Sequence, residues 1–437
     1  MHAGLTSLGN PLFNDTMKSI ATHTRCPECG EILLADLFER NGRVYLCAAC
    51  PHHGPWEKLM AKDASLFWEL RRRHANSPGV PVDGFHREWS LYSPLVTTCA
   101  IDVTKRCNLR CPDCFSDAGS PLDEPSFEEI MGMLPPYTGR GFRPNISLVG
   151  GESLLREDID QIIAGIAKRG FTPRLNSNGK GLLDRALVAR LRQAGLQWVI
   201  LQFDGFSPAT SLRFRGEDFI KQKLQVIQLL AEFDINVHFA VMVMAGVNDH
   251  ELTDILRFAL KTPNVRRVSF YPRTQVGRNP HENDESTDLS DVVRSLEQSS
   301  NGSINRRDLL HFKRLFALLF GLTNNPVFRN RACIVPFIVR LDGETVQPIN
   351  RLLPPGFSTA QWRGLFQLVG QTQRLWRFDR GEYDSGVLPV NIEKFYDNAA
   401  FDLDASANCH HVYLTRHGYI PFCLYNSFFR DQPTSPC

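Results

Sequence analysis

The 437-residue chain has no apolar run long enough to cross a bilayer and almost no net charge. Its longest apolar runs, residues 239–245 and 315–320, are far shorter than the ~20 residues that span a membrane. A formal net charge of +2 gives no general attraction to nucleic acid, so nucleic-acid partners are not expected. The first residues lack the basic and apolar regions of a signal peptide, so a cytoplasmic location is the expectation.

The cysteines are unevenly spread, and none lies between Cys114 and Cys333. Seven of the 12 fall in three tight clusters, at residues 26–29, 47–50 and 107–114. In a reducing compartment, such spacing favours metal ligation over disulfide bonds.

Two Cys-x-x-Cys pairs near the N-terminus predict a tetrahedral metal site, because each pair can bring two sulfurs to one metal through a tight turn. The predicted ligands are Cys26, Cys29, Cys47 and Cys50. The metal is either a structural zinc or a rubredoxin-like iron that relays electrons. His52 and His53 follow directly, and with four cysteines available we expect them to be bystanders.

Further along the chain, six short apolar segments alternate with helical patterns. The predicted strands cover residues 97–103, 146–149, 173–176, 198–203, 237–243 and 267–271. A helical pattern over residues 156–169 has its isoleucines on one face, and residues 126–129 carry a capping-box pattern. The alternation predicts an α/β fold whose parallel sheet closes, or nearly closes, as a partial (β/α)6 TIM-like barrel.

The regular alternation stops near residue 280, which suggests three domains. Residues 1–80 are interpreted as the small metal module and its connector, and residues 95–280 as the barrel. The polar stretch 281–305 is interpreted as a loop or linker. With it, residues 281–437 form the predicted C-terminal module.

Residues 107–114 read Cys-Asn-Leu-Arg-Cys-Pro-Asp-Cys, directly after the first predicted barrel strand. Thiolates at Cys107, Cys111 and Cys114 can hold a 4Fe-4S cluster with one iron left open, because four thiolates normally satisfy such a cluster. The open iron can bind S-adenosylmethionine and pass one electron to its sulfonium, which releases a 5′-deoxyadenosyl radical. These three cysteines are the candidate catalytic residues.

Polar motifs end the later strands. Gly150, Gly151 and Glu152 end the second strand, where glycine allows close backbone approach to a cosubstrate and a carboxylate can accept hydrogen bonds from its ammonium group. Asn178 ends the third strand and Asp204 the fourth. Each of these two is a candidate for binding the cosubstrate or substrate, or for capping the structure.

Arg273 and Arg278 follow the sixth strand. They are interpreted either as a grip for a phosphate or carboxylate or as members of surface salt bridges.

The setting of the three cysteines, residues 100–115, resembles the radical S-adenosylmethionine superfamily. More narrowly, the chain is similar to the branch that contains archaeal tetraether lipid synthase and its pterin-methylating relatives. That likeness rests on residues 175–179, 202–206, 215–216, 246–250 and 418–426. It implies radical attack on unactivated carbon and new carbon–carbon bonds, either between lipid chain ends or as methyl groups placed on a pterin.

The resemblance also implies an auxiliary 4Fe-4S cluster near the C-terminus. Its proposed ligands are Cys333, Cys409 and Cys423, with Cys437 as a less secure fourth. Relatives in this branch carry further cysteines after the barrel, and their absence between Cys114 and Cys333 argues against a third cluster. Cys99, on the first strand, is interpreted as a core residue.

The leading expectation is therefore carbon–carbon bond formation on a lipid or alkyl-chain substrate, and the second is methylation of a pterin or another heterocycle. An iron-sulfur electron carrier or a metal-stabilised binding module is the alternative of another class. The enzyme reading implies a reductant such as flavodoxin or ferredoxin. A basic, apolar helix expected at residues 304–321 could contact a membrane surface, although a core helix with snorkelling cations is the commoner explanation.

Overall fold

The structure is a computed structural model that describes most of the chain. The described residues are 18–71, 96–119, 124–135, 143–278, 286–322, 333–352, 386–407 and 409–430. They form two sheets, one of four strands near the N-terminus and one of eleven strands.

The N-terminal sheet is an antiparallel meander followed by one helix. Its elements are β1 (Ser19–Arg25), β2 (Ile32–Arg40), β3 (Arg43–Cys50), β4 (Gly54–Ala61) and α1 (Ala64–Arg71). The connection between β1 and β2 and that between β3 and β4 lie at the same end of the meander. The metal-ligand candidates lie at this end.

The six predicted barrel strands are all present and run parallel to one another, which confirms the predicted fold class. They are β5 (Thr98–Thr104), β6 (Asn145–Gly150), β7 (Thr172–Ser177), β8 (Trp198–Gln202), β9 (Asn236–Val243) and β10 (Val265–Pro272). Their order in the sheet follows their order in the chain, as in a singly wound barrel.

Helices connect these strands and cover one face of the sheet. They are α2 (Phe127–Met133), α3 (Ile159–Lys168), α4 (Arg185–Gln193), α5 (Pro208–Arg215), α6 (Ile220–Glu232) and α7 (Leu252–Lys261). The predicted capping box is present at the start of α2, where Ser126 and Glu129 bond each other's backbone N–H groups. The predicted isoleucine face of α3 is fully buried in the main core.

The chain after the barrel adds strands to both edges of the same sheet. These strands are β11 (Ile334–Asp342), β12 (Thr345–Pro348), β13 (Val387–Glu393), β14 (His411–Thr415) and β15 (Gly418–Pro421). β13 pairs in parallel with β10, and β14 pairs in parallel with β5 at the opposite edge. The C-terminal segment therefore passes from one edge of the barrel sheet to the other, while the predicted domain boundaries stay a prediction.

The expectation of a loop over residues 281–305 is wrong for residues 289–299, which form α8 (Leu289–Ser299). Asp288 and Asp291 form a capping box at its start, and Val292 and Leu296 pack into the core. Only one face of α8 is apolar, so its overall composition is polar like that of a loop.

Three further helices complete the described chain. They are α9 (Arg306–Leu322), α10 (Leu403–Ala407) and α11 (Phe422–Leu424), the last continuing into a π-helical turn. Leu309 and Phe312 of α9 are buried in the core, and Arg306 pairs with Asp63 at 2.6 Å. Among the described residues, no helix combines the length and apolar character needed to cross a membrane.

A second hydrophobic core joins the N-terminal sheet to the C-terminal segment. Leu37, Leu46 and Trp68 pack there with Phe401 and Leu424. Hydrogen bonds reinforce the contact, since the indole N–H of Trp56 donates to the carbonyl of Ala399 at 3.1 Å. The two ends of the chain thus share one apolar unit, although more than 300 residues separate them in sequence.

Candidate functional site

The loop after β5 carries the three clustered cysteines, and salt bridges from other elements hold it in place. Asp113, two residues after Cys111, accepts from Arg273 Nε at 2.8 Å and from Arg213 Nη1 at 2.9 Å. The side chain of Arg273 is buried, so this arginine is neither a surface salt bridge nor an open anion site. The loop is therefore fixed between α5 and the end of β10.

Arg278 fixes the other end of the loop. Its backbone exchanges two hydrogen bonds with Cys114, at 3.0 and 2.9 Å, and its side chain contacts Asp117 at 3.1 Å. A Cβ atom on the neighbouring Gly277 would lie 2.4 Å from the carbonyl oxygen of Cys114. The two strands of backbone pass so closely that only glycine fits there.

Two of the three cysteine sulfurs accept hydrogen bonds from the backbone, and an arginine lies beside the third. The backbone N–H of Leu109 donates to Cys107 at 3.5 Å, and that of Ala118 donates to Cys114 at 3.4 Å. Burial raises the pKa of Cys111, and the charge of the Arg215 guanidinium opposes that rise. Donors to sulfur favour thiolate and tune the potential of an iron-sulfur cluster.

The donor set fits a three-thiolate cluster. Burial raises the pKa of Cys107, and the charges of Glu152, Cys111 and Cys114 raise it further, which places the three thiols and Glu152 in one electrostatic neighbourhood. Three thiols and no fourth cysteine in the loop are what a 4Fe-4S cluster with one open iron needs.

The glycines of the Gly-Gly-Glu turn are required by the cluster loop itself. A Cβ on Gly150 would lie 2.1 Å from the carbonyl oxygen of Thr104, and one on Gly151 would lie 2.1 Å from that of Arg106. The backbone N–H of Gly151 donates to Thr104 at 2.7 Å. Sequence reasoning expected the glycines to admit a cosubstrate, whereas the close approach that the structure displays is to the chain's own backbone.

Glu152 is almost completely buried and ties three strand ends together. It accepts from Ser177 Oγ and from the backbone N–H of Asn178, both at 2.8 Å, and its own N–H donates to Arg106. Burial raises the pKa of Glu152, and these donors lower it. Asn178 continues the link, because its side-chain amide donates to Asn108 in the cluster loop at 2.8 Å.

Asp204 lies on the other side of Cys111 and is paired with Arg215. Its two carboxylate oxygens accept from Arg215 Nε and Nη2 at 2.8 and 2.9 Å, and Oδ1 also accepts from the backbone N–H of Met242. Asn248 then joins the backbones of Asp204 and Met242 at 2.7 Å each. Sequence reasoning missed Arg215 and Asn248 as functional groups, although both stand in motifs that it singled out.

The N-terminal metal site contains three cysteines and one histidine. The ligand atoms of Cys26, Cys29, Cys50 and His53 all lie within 4.8 Å of one another. His53 Nδ1 lies 3.5 Å from the sulfurs of both Cys26 and Cys50. A tetrahedral Cys3His set of this kind suits zinc, so the residues fit a structural metal.

The predicted fourth ligand is Cys47 and the predicted bystander is His53, whereas in the structure the ligand atoms that lie together belong to Cys26, Cys29, Cys50 and His53. Cys47 and Cys50 are three residues apart on an extended strand, so their side chains point to opposite faces of the sheet. Cys47 is paired in register with Asp36 and Glu57 instead. Burial raises the pKa of the Cys47 thiol, and the charge of Asp36 raises it further.

Three C-terminal cysteines approach one another from different elements. Cys333 precedes β11, Cys409 precedes β14, and Cys423 lies in α11. Burial raises the pKa of Cys423 strongly, and the charges of Cys409 and Cys333 raise it further. The fourth candidate, Cys437, lies outside the described residues.

Aromatic side chains connect the C-terminal cysteines to the cluster loop. Phe115 directly follows Cys114, and Phe422 directly precedes Cys423. Their rings stack with centroids 5.8 Å apart, and Phe395 contacts both at 5.0 Å. This contact was not foreseen, because the two phenylalanines are some 300 residues apart in sequence.

A buried arginine anchors the C-terminal motif to β5. The guanidinium of Arg430 contacts Asp102 at 3.2 Å and donates to the hydroxyl of Tyr413 at 2.5 Å. Tyr425 also donates to Asp102, at 2.9 Å. The motif at residues 418–426 is therefore attached directly to the barrel strand that leads into the cluster loop.

Two family models match this chain. Residues 101–259 match the Radical SAM superfamily, and residues 20–62 match the HMPTM N-terminal zinc ribbon domain. The first match spans β5 to α7 with the cluster loop, and the second spans the antiparallel meander with its Cys3His group.

Among characterised proteins, the chain is similar to 7,8-dihydro-6-hydroxymethylpterin dimethyltransferase of Methanocaldococcus jannaschii. The two are 31% identical over 320 residues, which is 66% of this chain and 60% of that protein. The GTP 3′,8-cyclase of Campylobacter lari is 28% identical over 186 residues, or 41% of this chain and 57% of that one. The chain thus spans less than two thirds of either relative.

Among solved structures, Streptococcus suis SuiB bound to its precursor peptide SuiA aligns with a TM-score of 0.42 at 13% identity. The alignment covers 65% of this chain and 71% of that one. A likeness at this level does not bear on the reaction or the substrate.

Proposed function

We propose that this chain is an enzyme that makes a carbon–carbon bond at an unactivated carbon. The premise is that it carries a radical S-adenosylmethionine domain behind a zinc ribbon. The observation that carries the proposal is the cluster loop, in which backbone N–H groups donate to two of the three sulfurs and further backbone hydrogen bonds join the loop to the Gly-Gly-Glu turn. Salt bridges and backbone hydrogen bonds fix this loop, so it can hold a cofactor in one position and leave one coordination site open.

Cys107, Cys111 and Cys114 would hold the 4Fe-4S cluster, and Gly150, Gly151, Glu152, Asn178 and Asp204 would surround the cosubstrate. When bound, a cluster with an open iron supplies one electron to S-adenosylmethionine and so provides a radical that abstracts hydrogen from carbon. The protein's own groups do the positioning. Glu152 and Asn178 fix the loop relative to β7, and Asp204 fixes Arg215 against Cys111.

Two substrate classes remain, and the same chemistry serves both. Coupling of a lipid or alkyl chain rests on the sequence resemblance alone. Methylation of a pterin or another heterocycle has the added support of the relative from Methanocaldococcus jannaschii, whose name gives that reaction. Either reaction needs an external reductant such as flavodoxin or ferredoxin.

An auxiliary 4Fe-4S cluster at Cys333, Cys409 and Cys423 is part of the proposal. Its support is the approach of the three thiols to one another. Cys333 also borders a small pocket beside α1. Such a cluster could pass electrons to the radical site or bind substrate.

Formation of 5′-deoxyadenosine tests the enzyme class. Anaerobically reconstituted protein with S-adenosylmethionine and dithionite should form it, and Cys111→Ala should not. Cys99→Ala is the matched control, because Cys99 is a fully buried core thiol on β5 that holds no cofactor in this proposal. If the reconstituted wild-type protein forms no 5′-deoxyadenosine with any reductant, the electron-carrier or binding-module alternative takes its place.

Iron content tests the auxiliary cluster separately. About eight irons per chain are expected for two clusters and about four for one. Cys423→Ser should lower the content by about four while 5′-deoxyadenosine still forms. A wild-type content near four would remove the auxiliary cluster and leave the radical site intact.

A further inference from the structure

The two faces of the barrel sheet differ in chemistry. One face carries apolar side chains that pack against the helices, such as Leu175, Val199 and Val237. The other, which we call the inner face, carries the alternate residues of each strand. Asn176, Ile200 and His238 are register partners on that face.

The inner face contains buried polar atoms that have no hydrogen-bond partner within the protein. Among the described residues these include Ser147 Oγ, His238 Nδ1, Asn176 Oδ1 and Gln202 Oε1. Ser147 and His238 are only 3% and 6% exposed. Native proteins leave few buried polar atoms unsatisfied, because each costs about 1–3 kcal/mol. Four such atoms on adjacent strands of one face indicate that a ligand supplies the missing partners.

The sheet curls around the inner face. Burial, followed by the charges of Arg267, Arg174 and His411, lowers the pKa of His238. His411 belongs to β14, which four strands separate from β9 in the sheet order. Ring contacts join the two ends of this order, because Tyr271 of β10 stacks on Phe395, Phe395 contacts Phe422, and Phe422 contacts His411 of β14. The sheet therefore curves around the inner face.

The enclosed space opens towards the carboxyl ends of the strands. Gln202, Met242 and Tyr271 on the inner face are partly exposed, whereas Leu201, Val241 and Phe270 on the helix-covered face are completely buried. The cluster loop follows the carboxyl end of β5 at the same edge. A ligand on the inner face therefore lies on the side of the sheet where the cluster loop stands.

The lining suits a flat molecule with polar edges. The carboxamides of Asn176 and Gln202 each offer donors and an acceptor, and the neutral imidazole of His238 donates or accepts. Tyr271 stacks on Phe395 with ring centroids 5.3 Å apart, which adds a flat aromatic wall. An alkyl chain would leave every one of these polar atoms unpaired.

We propose that the inner face, through Asn176, Gln202 and His238, binds a planar nitrogen heterocycle that has hydrogen-bond donors and acceptors on its edge, rather than an alkyl chain. The inference rests on the proposed function, because it names the substrate class of that reaction.

Equilibrium binding to the reconstituted, anaerobic holoenzyme tests the proposal. The probes are 6-hydroxymethyl-7,8-dihydropterin as the heterocycle and hexadecanoate as the alkyl chain. The dihydropterin should bind and hexadecanoate should not. Gln202→Leu and Asn176→Leu should each weaken dihydropterin binding about tenfold or more, which corresponds to ~1.4 kcal/mol for a lost buried hydrogen bond.

Gln193→Leu is the matched control, because Gln193 is exposed at the end of α4 and should bind like the wild type. Binding of S-adenosylhomocysteine checks that each variant keeps its cosubstrate site. His238→Gln offers a milder second variant that retains hydrogen-bonding capacity and should weaken binding less than His238→Phe.

Equal dihydropterin binding by the wild type and both leucine variants would overturn the proposal, as would binding of hexadecanoate alone. Formation of 5′-deoxyadenosine without any substrate remains a separate readout. A protein that forms 5′-deoxyadenosine but binds no dihydropterin would refute the inner-face site while keeping the radical enzyme. A protein that binds dihydropterin without forming 5′-deoxyadenosine would support the inner-face site and refute the radical enzyme.

Discussion

Arg215 holds Asp204 through two hydrogen bonds, at 2.8 and 2.9 Å, and the same guanidinium lies close to the sulfur of Cys111. Both members of the ion pair are buried. The pair thus places a fixed positive charge and an N–H donor beside one ligand of the candidate cluster. A charge in that position stabilises the reduced, more negative cluster relative to the oxidised one.

Arg215→Gln should lower the midpoint potential of the reconstituted cluster by an amount on the order of 60 mV, equivalent to ~1.4 kcal/mol for a one-electron couple. Redox titration followed by electron paramagnetic resonance measures it. Because Arg215→Gln leaves a buried carboxylate unpaired, a loss of about 3–5 kcal/mol in stability is also expected. Adding Asp204→Asn should recover much of the stability and part of the potential, because it also removes the opposing negative charge near Cys111. An unchanged potential in Arg215→Gln would show that the guanidinium does not influence the cluster.

Substitution of Cys47 and substitution of Cys50 should have different effects on the zinc content. Cys50→Ser and His53→Gln should each lose most of the bound zinc, because each removes one of four ligands in the Cys3His group. Cys47→Ser should keep about one zinc per chain, since its side chain points to the other face of β3. Metal analysis of the purified variants measures this, and zinc loss in Cys47→Ser would restore the four-cysteine site.

Loss of zinc should also loosen the C-terminal segment. The ribbon and that segment share a core in which Leu46 packs with Leu424. Metal removal with a chelator should therefore increase amide hydrogen exchange in α11 as well as in β1 to β4, while α3 on the far side of the barrel stays protected. Exchange confined to the ribbon would contradict a shared core.

Gly151→Ala should destabilise the protein by about 3 kcal/mol or more, because a Cβ there would lie 2.1 Å from the carbonyl oxygen of Arg106. The cluster loop would have to separate from the Gly-Gly-Glu turn, so iron incorporation should fall as well. Gly132→Ala is the control, since Gly132 lies in α2 with no atom within 4 Å of the added Cβ. That change should stabilise the helix by about 0.5–1 kcal/mol. Thermal unfolding and iron analysis of both variants test the contrast.

Lys223 predicts a pH dependence of stability in the alkaline range. Burial lowers the pKa of Lys223 from 10.5 to about 8, although the charge of Asp204 opposes the shift. Between these two values the unfolded chain binds more protons than the folded one, so the free energy of unfolding rises as the pH rises. The total contribution is about 3 kcal/mol.

Lys223→Met should be more stable than the wild type at pH 8, and the difference should shrink as the pH approaches 10.5. Lys221→Met is the control on the same helix, because Lys221 is exposed. Urea unfolding at several pH values measures both differences. Parallel pH profiles for the wild type and Lys223→Met would mean that the lysine is charged in the folded state.

The local sequence was sufficient to predict those features that depend on residues close together in the chain. The alternation of apolar segments predicted all six barrel strands to within two residues at either end, and the capping pattern at Ser126 was confirmed. The Cys107–Cys114 spacing likewise defined the cluster loop. The Cys-x-x-Cys spacing by itself did not predict that Cys47 and Cys50 lie on opposite faces of β3, because three residues along an extended strand reverse the face of a side chain.

The sequence by itself determined the fold class, the position of the cluster loop and the presence of a metal ribbon, because each depends on spacing within some ten to thirty residues. Tertiary structure decided which groups meet. It placed Arg215 beside Cys111, Phe422 against Phe115, and the polar side chains of separate strands on one inner face. Such contacts arise from strand register and sheet curvature, which distant parts of the chain set together and no local pattern encodes.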